Sequence, residues 1–353
     1  MSPRLGRLPA WSGLNCVRLG VCMVWQLSDL MALKVAAEIP VAGQQVARLA
    51  AQFGLNGVAP FVANPTVAAV VLLDGQAVSG FTQVRRWAVT PGDVIASAEL
   101  ADAALSQYLK VLSARRLRPL FLAVGDPQPY RRRGMHVVET ADEAILDLPL
   151  FSLSGSKRAN LRHSTTSARR AGLRVMRYED AFCTQIAEIS EQWLRTKRGG
   201  ELGFTLSRHQ DIAQQLTEGM ADLWVILDRD DKVQAWCTWR PYLGGRARVL
   251  DVMRRRVDAP NPATDALLAT VLENYRDEGL LQASLASVPR SHGALGERIF
   301  PARSLRAYKQ KFDPAWSIRW MAVPSRRHEL PALAAVGAAY CPGGLRRAVF
   351  RNQ

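Results

Sequence analysis

The chain has 353 residues, 48% of them apolar and 22% charged, which gives length for two ordinary domains with real cores and excludes a disordered polymer. Lysine and arginine number 46 against 31 acidic residues, and the net charge of +15 favours polyanionic partners, either nucleic acid or an anionic membrane surface; an arginine-rich soluble protein without such a partner is the plainer reading. The five cysteines (Cys16, Cys22, Cys183, Cys237, Cys341) form no C-x-x-C pair and the five histidines show no ligand spacing, which argues against a disulfide scaffold and a zinc site, so no metal and no cofactor are expected.

No apolar run reaches the roughly 18 residues that a membrane span requires. Arg18, Asp29, Lys34 and Glu38 break the apolar stretch between Val17 and Val41, and no clean signal-peptide core follows the basic start. Residues 1–40 read as an N-terminal extension, with Met31 a second candidate start. The expected location is cytoplasmic, with a peripheral place on the inner face of the cell membrane consistent with the charge.

In chain order, residues 66–88 read as a hairpin about Asp74-Gly75, residues 94–116 as a helix and residues 119–125 as a buried strand. A short helix, a break at Gly134 and two closing strands follow, so residues 41–150 have the order β-β-α-β-α-β-β. Residues 155–172 read as a helix stopped by Gly172. A strand, a helix and three strands turning at Asp230-Asp231 and Gly244-Gly245 come next. A helix from Pro262, the strand LQASLAS, a helix near 303–311 and the strand SIRWMAV complete residues 151–324. The basic tail, 325–353, shows no clear element. Two α+β halves of similar order suggest a tandem arrangement, with mixed sheets flanked by helices.

The strand–turn–helix order at 246–278 resembles the pyrophosphate element of GNAT-type acetyltransferases, in which a glycine-rich loop binds the coenzyme A phosphates. Here the loop holds Asp258 and Pro260, and proline offers no N–H to a phosphate. Asn261 as cap, Pro262 as first helical residue and Asp265 in the first turn predict a helix start that satisfies itself. At about 100° per residue, Arg158, Arg162 and Arg169 fall on one face of the helix around 157–171. Such a basic ridge suits tRNA phosphates or anionic headgroups, and a solvated charged face is the alternative.

Four segments in order, spread over residues 60–324, carry a resemblance. "DVMRRRVDAPNPATDALL", "FSLSGSKRANLR", "EISEQWLRTKRGGELGFTLSR" and "LRAYKQKFDPAWSIRWMAVP" resemble stretches of the C-terminal catalytic domain of phosphatidylglycerol lysyltransferases, also called aminoacyl-phosphatidylglycerol synthases. The chain departs from the family pattern at Val252, at Pro262 in place of glycine, and at Arg290. The resemblance implies a tandem GNAT fold that moves an aminoacyl group from aminoacyl-tRNA to a hydroxyl of a polar lipid such as phosphatidylglycerol, the two substrates entering between the halves from opposite sides. It implies that Asp251 and Arg254 are catalytic. Asp251 would hold the aminoacyl ammonium or help deprotonate the acceptor hydroxyl, and Arg254 would clamp a phosphate or stabilise the oxyanion. Arg162, Lys309, Lys311, Asp258 and Asn261 are the expected substrate-binding residues. The bland readings stand beside these: a surface ion pair for Asp251 and Arg254, turn and helix-start carboxylates for Asp258 and Asp265, and a solvated helix face for Lys309 and Lys311. Two other functions remain open at this point: an acyl-coenzyme A-dependent N-acetyltransferase, and an inactive tRNA- or membrane-binding module.

Overall fold

The structure, a computed structural model, describes residues 40–196, 201–290 and 302–341. Its elements are α1 (Pro40–Phe53), β1 (Ala68–Leu72), β2 (Ala77–Val84), β3 (Trp87–Pro91), α2 (Ala101–Ala114), β4 (Arg118–Val124), α3 (Gln128–Arg131) and β5 (His136–Asp147). There follow α4 (Ala159–Arg170), β6 (Arg174–Arg177), α5 (Cys183–Arg195), α6 (His209–Thr217), β7 (Asp222–Leu227), β8 (Val233–Tyr242) and β9 (Ala247–Arg255). The last are α7 (Ala263–Asp277), β10 (Gln282–Pro289), α8 (Ala302–Gln310), β11 (Ala315–Val323) and α9 (Glu329–Tyr340).

Eleven strands make one mixed sheet in the order β1-β2-β3-β4-β11-β5-β10-β9-β8-β7-β6. Its two ends repeat a pattern: three or four antiparallel strands, then a parallel pair, β3 with β4 at one end and β9 with β10 at the other. The closing strands are exchanged. β11 pairs with β4, β5 pairs with β10, and β5 and β11 pair with each other along nearly their whole length. This is a tandem GNAT-like arrangement.

Several expectations are corrected. Residues 136–147 form one continuous strand where two were expected; the two parts are marked only by a register shift against β11 that leaves Thr140 without a Cα partner. Residues 94–100 precede α2, held by a bridge from Ile95 to Val78. The tail is not featureless through its length, since α9 buries Ala332, Ala335 and Ala339. Residues 342–353 of that tail, and residues 1–39 of the expected N-terminal extension, lie outside the described residues. Helices α1 and α6 were not anticipated. The cap of α7 is Pro262 without a side-chain hydrogen bond, so exposed Asn261 does not cap it; Ala263 and Ala266 instead donate to the Pro260 and Pro262 carbonyls. Gly172 does stop α4, at φ +83°, with its own N–H on the Arg169 carbonyl and Leu173 N–H on that of Ala168.

Helix α7 packs its apolar residues on β7 and β8, where Tyr275 meets Trp239 at 5.6 Å and Trp224 at 5.9 Å between ring centroids. The Tyr275 hydroxyl accepts from the Trp224 indole at 3.0 Å and donates to Asp222 at 3.1 Å, so these aromatics bury area without stranding polar atoms. The middle of the sheet is charged instead. Glu143 on β5, fully buried, receives Arg319 of β11 at 2.6 Å, the Ser284 hydroxyl of β10 at 2.5 Å and the Gly57 N–H at 3.0 Å.

Removing one member of a buried ion pair leaves an uncompensated charge, so Arg319→Ala is expected to cost about 3–5 kcal/mol of unfolding free energy. Arg306→Ala, which removes a half-exposed partner of Asp142, should cost under about 1 kcal/mol. Urea titrations of the two variants give both values.

Candidate active site

Strands β9 and β10 pair only over 247–249 with 282–284 and then part. Beyond Val249, β9 keeps β8 as its partner, with a register shift opposite residues 237–239. The extra residue lets Leu250 and Met253, three apart, pack into the same apolar cluster, while Asp251, Val252 and Arg254 turn away from it. The Val252 N–H is recovered by the Thr238 hydroxyl at 3.1 Å.

Four charges are gathered there. Asp251 is buried, and its Oδ1 accepts the Ser207 N–H at 3.0 Å while Oδ2 has no hydrogen-bond partner among the described residues. Burial pushes its carboxyl above the ordinary range, and Arg240, Ser207 and Arg254 pull the other way. Arg254, 3% exposed, pairs with Glu201 and stands over the ring of Trp193 at 4.8 Å. Its Nε and Nη1 are buried without hydrogen-bond partners among the described residues. Glu201 also accepts the His209 N–H at 2.9 Å. Burial acts to raise its carboxyl, but the His209 N–H and Arg254 outweigh it and the net direction is down.

The fourth charge is Arg240 on β8. It is fully buried, bonded to Asn64 and stacked over Phe61 at 5.3 Å, and its Nε lacks a partner among the described residues. Burial lowers its guanidinium from the ordinary value and the Asp251 charge opposes that. Asp251 and Arg254 are therefore no surface ion pair. Arg240 and Glu201 were not singled out from the sequence; Glu201 sits inside a segment that carries the resemblance, and that was its only signal.

The other expected residues do not join this cluster. Asp258 is exposed and 3.8 Å from Lys232, and Asn261 is exposed beside it. Lys311 is bound to Asp265 at 2.9 Å, which also takes the Ser164 hydroxyl at 3.3 Å, so this lysine ties α7 and α4 to the end of α8. Lys309 is buried, donating to the Ala286 and Ser287 carbonyls at 2.9 and 3.2 Å, where a bulge places Ala286 at φ +63°. Burial pushes its ammonium down to about 7, opposed by the Glu143 charge.

The basic ridge is also altered. Helix α4 begins at Ala159, and Arg158 in the cap turns its guanidinium to the Phe312 and Ser152 carbonyls at 3.2 and 2.9 Å. It is thus spent on holding two loops. Arg162 donates to the Leu153 and Gly155 carbonyls at 2.7 and 3.0 Å yet stays exposed, as does Arg169. The expected ridge of three is an exposed pair.

The loop before α7 is a poor pyrophosphate cradle, as its composition indicates. Pro260 and Pro262 have no N–H, and the Ala259 N–H is directed to the Arg256 carbonyl at 3.3 Å. Arg256 itself holds the Val233 carbonyl at 2.6 Å.

A mixed sheet with a parallel pair in each half, and a buried charge cluster on β9 where it parts from β10, defines a tandem GNAT-like scaffold. Residues 50–323 match the family described as phosphatidylglycerol lysyltransferase, C-terminal, and the chain belongs to that family. It is 27% identical over 278 residues to the phosphatidylglycerol lysyltransferase of Bacillus subtilis, covering 72% of this chain and 32% of that protein. It is 32% identical over 161 residues to the lysylphosphatidylglycerol biosynthesis bifunctional protein LysX of Mycobacterium avium, covering 44% of this chain and 13% of that protein. The chain thus spans a third or less of these curated relatives. Among solved structures, L-PGS from Bacillus licheniformis superposes with a TM-score of 0.73 at 23% identity, over 82% of this chain and 94% of that one. A C-terminal DUF2156 domain from Agrobacterium fabrum superposes with a TM-score of 0.75 at 21% identity, over 86% and 99%. These two agreements concern the fold.

Lys309 binds fewer protons in the folded chain than in the unfolded one between pH 7 and the ordinary lysine value, so its burial is destabilising at low pH and that effect fades as pH rises. Lys309→Met should therefore gain most stability relative to the parent at pH 6 and keep only part of that advantage at pH 9, measured by urea unfolding at both values.

Proposed function

We propose that this chain is an aminoacyltransferase that moves an aminoacyl group from aminoacyl-tRNA to a hydroxyl of a polar lipid, with phosphatidylglycerol the favoured acceptor. The observation that carries the reading is the cluster of buried Asp251, Arg254 and Arg240 with half-buried Glu201, on and beside the parted strand, with polar atoms on the three buried members without hydrogen-bond partners among the described residues. Family membership and the names of the relatives support it. The unfavourable pyrophosphate loop speaks against an acyl-coenzyme A donor.

An aminoacyl ester is already activated, so the residues need only position and balance charge. Asp251, with its second oxygen uncommitted and its carboxyl raised by burial, suits either of two tasks: accepting the acceptor hydroxyl's proton or holding the aminoacyl ammonium. In the first, the hydroxyl oxygen attacks the ester carbon as its proton passes to Asp251. The resulting oxyanion faces an arginine donor, Arg254 or Arg240. The bond to the tRNA ribose oxygen then breaks and that oxygen takes the proton. Glu201 orients Arg254 so that Nε and Nη1 remain available. Arg162 and Arg169, exposed on α4, suit the tRNA backbone, whereas Lys309, buried with its ammonium on the Ala286 and Ser287 carbonyls, is given no substrate contact. In this reading the two substrates enter between the halves, residues 41–150 and 151–324, from opposite sides, and the protein works at the cytoplasmic membrane surface. Asp258, Asn261 and Lys311 have no part in this scheme.

Asp251→Asn is expected to lower transfer from labelled aminoacyl-tRNA to total membrane lipid by about 10²–10⁴-fold while tRNA binding in a filter assay persists. No transfer by the parent chain from any charged tRNA would leave the non-catalytic binding reading in its place. Isothermal titration with coenzyme A should show no tight binding; a tight complex would return the acetyltransferase reading.

A further inference from the structure

Helix α9 lies beyond the segment that matches the family, which ends at residue 323. Its small residues Ala332, Ala335 and Ala339 pack beside Trp87 and Val89 of β3. At about 100° per residue, Leu330, Leu333 and Ala334 fall on the opposite side. Leu330 is 78% exposed and Leu333 44%, two of the few large apolar side chains left in water.

Arginines surround the same end. The turn before α9 brings exposed Arg326 and Arg327 up to Trp87, whose ring meets His328 at 5.7 Å. Arg118 stands over the ring of Trp87 at 5.8 Å, and its N–H donates to the carbonyl of Arg86, the neighbour of Arg85 in the β2–β3 turn. Burial, then Arg327, then Arg118 lower the His328 imidazole from its ordinary value, which places those two charges around one ring. Among the described residues none of these five arginines has a carboxylate within ion-pair distance. The one acid at the start of α9, Glu329, is paired with His136 at 3.1 Å.

We propose that the outer face of α9 together with this arginine group docks on an anionic lipid bilayer, the leucines entering the headgroup boundary and the arginines meeting lipid phosphates. Exposed leucines beside unpaired arginines fit a surface that is apolar below and anionic above; a nucleic acid would use the arginines and leave the leucines in water. The choice of a bilayer rests also on the lipid-acceptor reading. At its other end α9 holds the loop that reaches the site. The Tyr340 carbonyl accepts the Gly203 N–H at 3.1 Å, its ring meets Phe204, and Ser207 on that loop binds Asp251. Docking on α9 would thus set the site at a fixed depth from the lipid.

The test is flotation of the intact chain with vesicles of phosphatidylglycerol mixed into phosphatidylcholine, against phosphatidylcholine alone. The parent is expected to bind the anionic vesicles and to release with salt. Leu330→Ser with Leu333→Ser should lower binding at least tenfold, and Arg326→Ala with Arg327→Ala by roughly 25-fold at low salt, taking about fivefold for each arginine. Leu330→Trp supplies a reading independent of any folding loss: its emission should shift to the blue with anionic vesicles only. Parent-level binding in the leucine-to-serine variant, or an unshifted emission from the Leu330→Trp variant, overturns the proposal. Loss of tRNA binding in the arginine variant with vesicle binding intact assigns the patch to nucleic acid and overturns it too. Transfer to acceptor dispersed in detergent should be unchanged in the leucine-to-serine variant; a chain that docks but transfers nothing retains this surface and loses the reading of its activity.

Discussion

Glu143 is a carboxylate without contact to water, and a carboxylate in that position is tolerated only if something charged meets it. Arg319 does so from β11, across 176 residues of chain. The Ser284 hydroxyl and Gly57 N–H take up its other oxygen, and a Cβ on Gly57 would stand 2.4 Å from that oxygen. One side chain thus requires β5 beside β11, β10 beside β5 and the turn before the first sheet strand in close approach. The strand exchange in the middle of the sheet and the bare backbone at residue 57 follow from satisfying this one charge.

The same constraint shapes the site by what it withholds. β10 is held to β5, so it accompanies β9 for three residues only and then leaves it. The part of β9 that loses its neighbour carries Asp251 and Arg254, and a shift against β8 aims both away from the apolar cluster. In an apolar interior these groups would be a large cost; gathered as two acids and two arginines they balance one another and still leave atoms unused. A further lysine, Lys309, lies on carbonyls of the bulge in β10, close enough to Glu143 to feel its charge. Positive and negative groups therefore run along the line where the strands part.

Much of the element order was legible because it is local. Asp74-Gly75, Asp230-Asp231 and Gly244-Gly245 turn between strands as their composition indicates, and Gly172 stops a helix. Asp251 and Arg254 were found through their resemblance to a family segment, and the structure brings both into one buried cluster. What stayed hidden depends on distance in sequence. Nothing local in "RWMAV" says that it separates β4 from β5, and nothing in "TWRP" says that Arg240 meets Asp251 rather than solvent. Arg158 misled for a related reason: helical spacing places it on a ridge, but the helix starts one residue later and the carbonyls of Phe312 and Ser152 claim it. Asp258 and Asn261 matched a motif in type and order, yet their loop faces water.

The exchange of β5 and β11 has a consequence for how the molecule comes into being. On a ribosome, β4 and β5 emerge long before residues 315–323, so the slot between them stays open while the next half of the chain is made. Until then two strand edges and the lone charge of Glu143 have no native mate, and the pairings between β5 and β11 that close the sheet span 170 residues or more. Such long-range closure is slow and leaves nascent edges available for wrong partners. A stop codon anywhere before β11 would leave the first half of the sheet unable to mature, however complete its own residues.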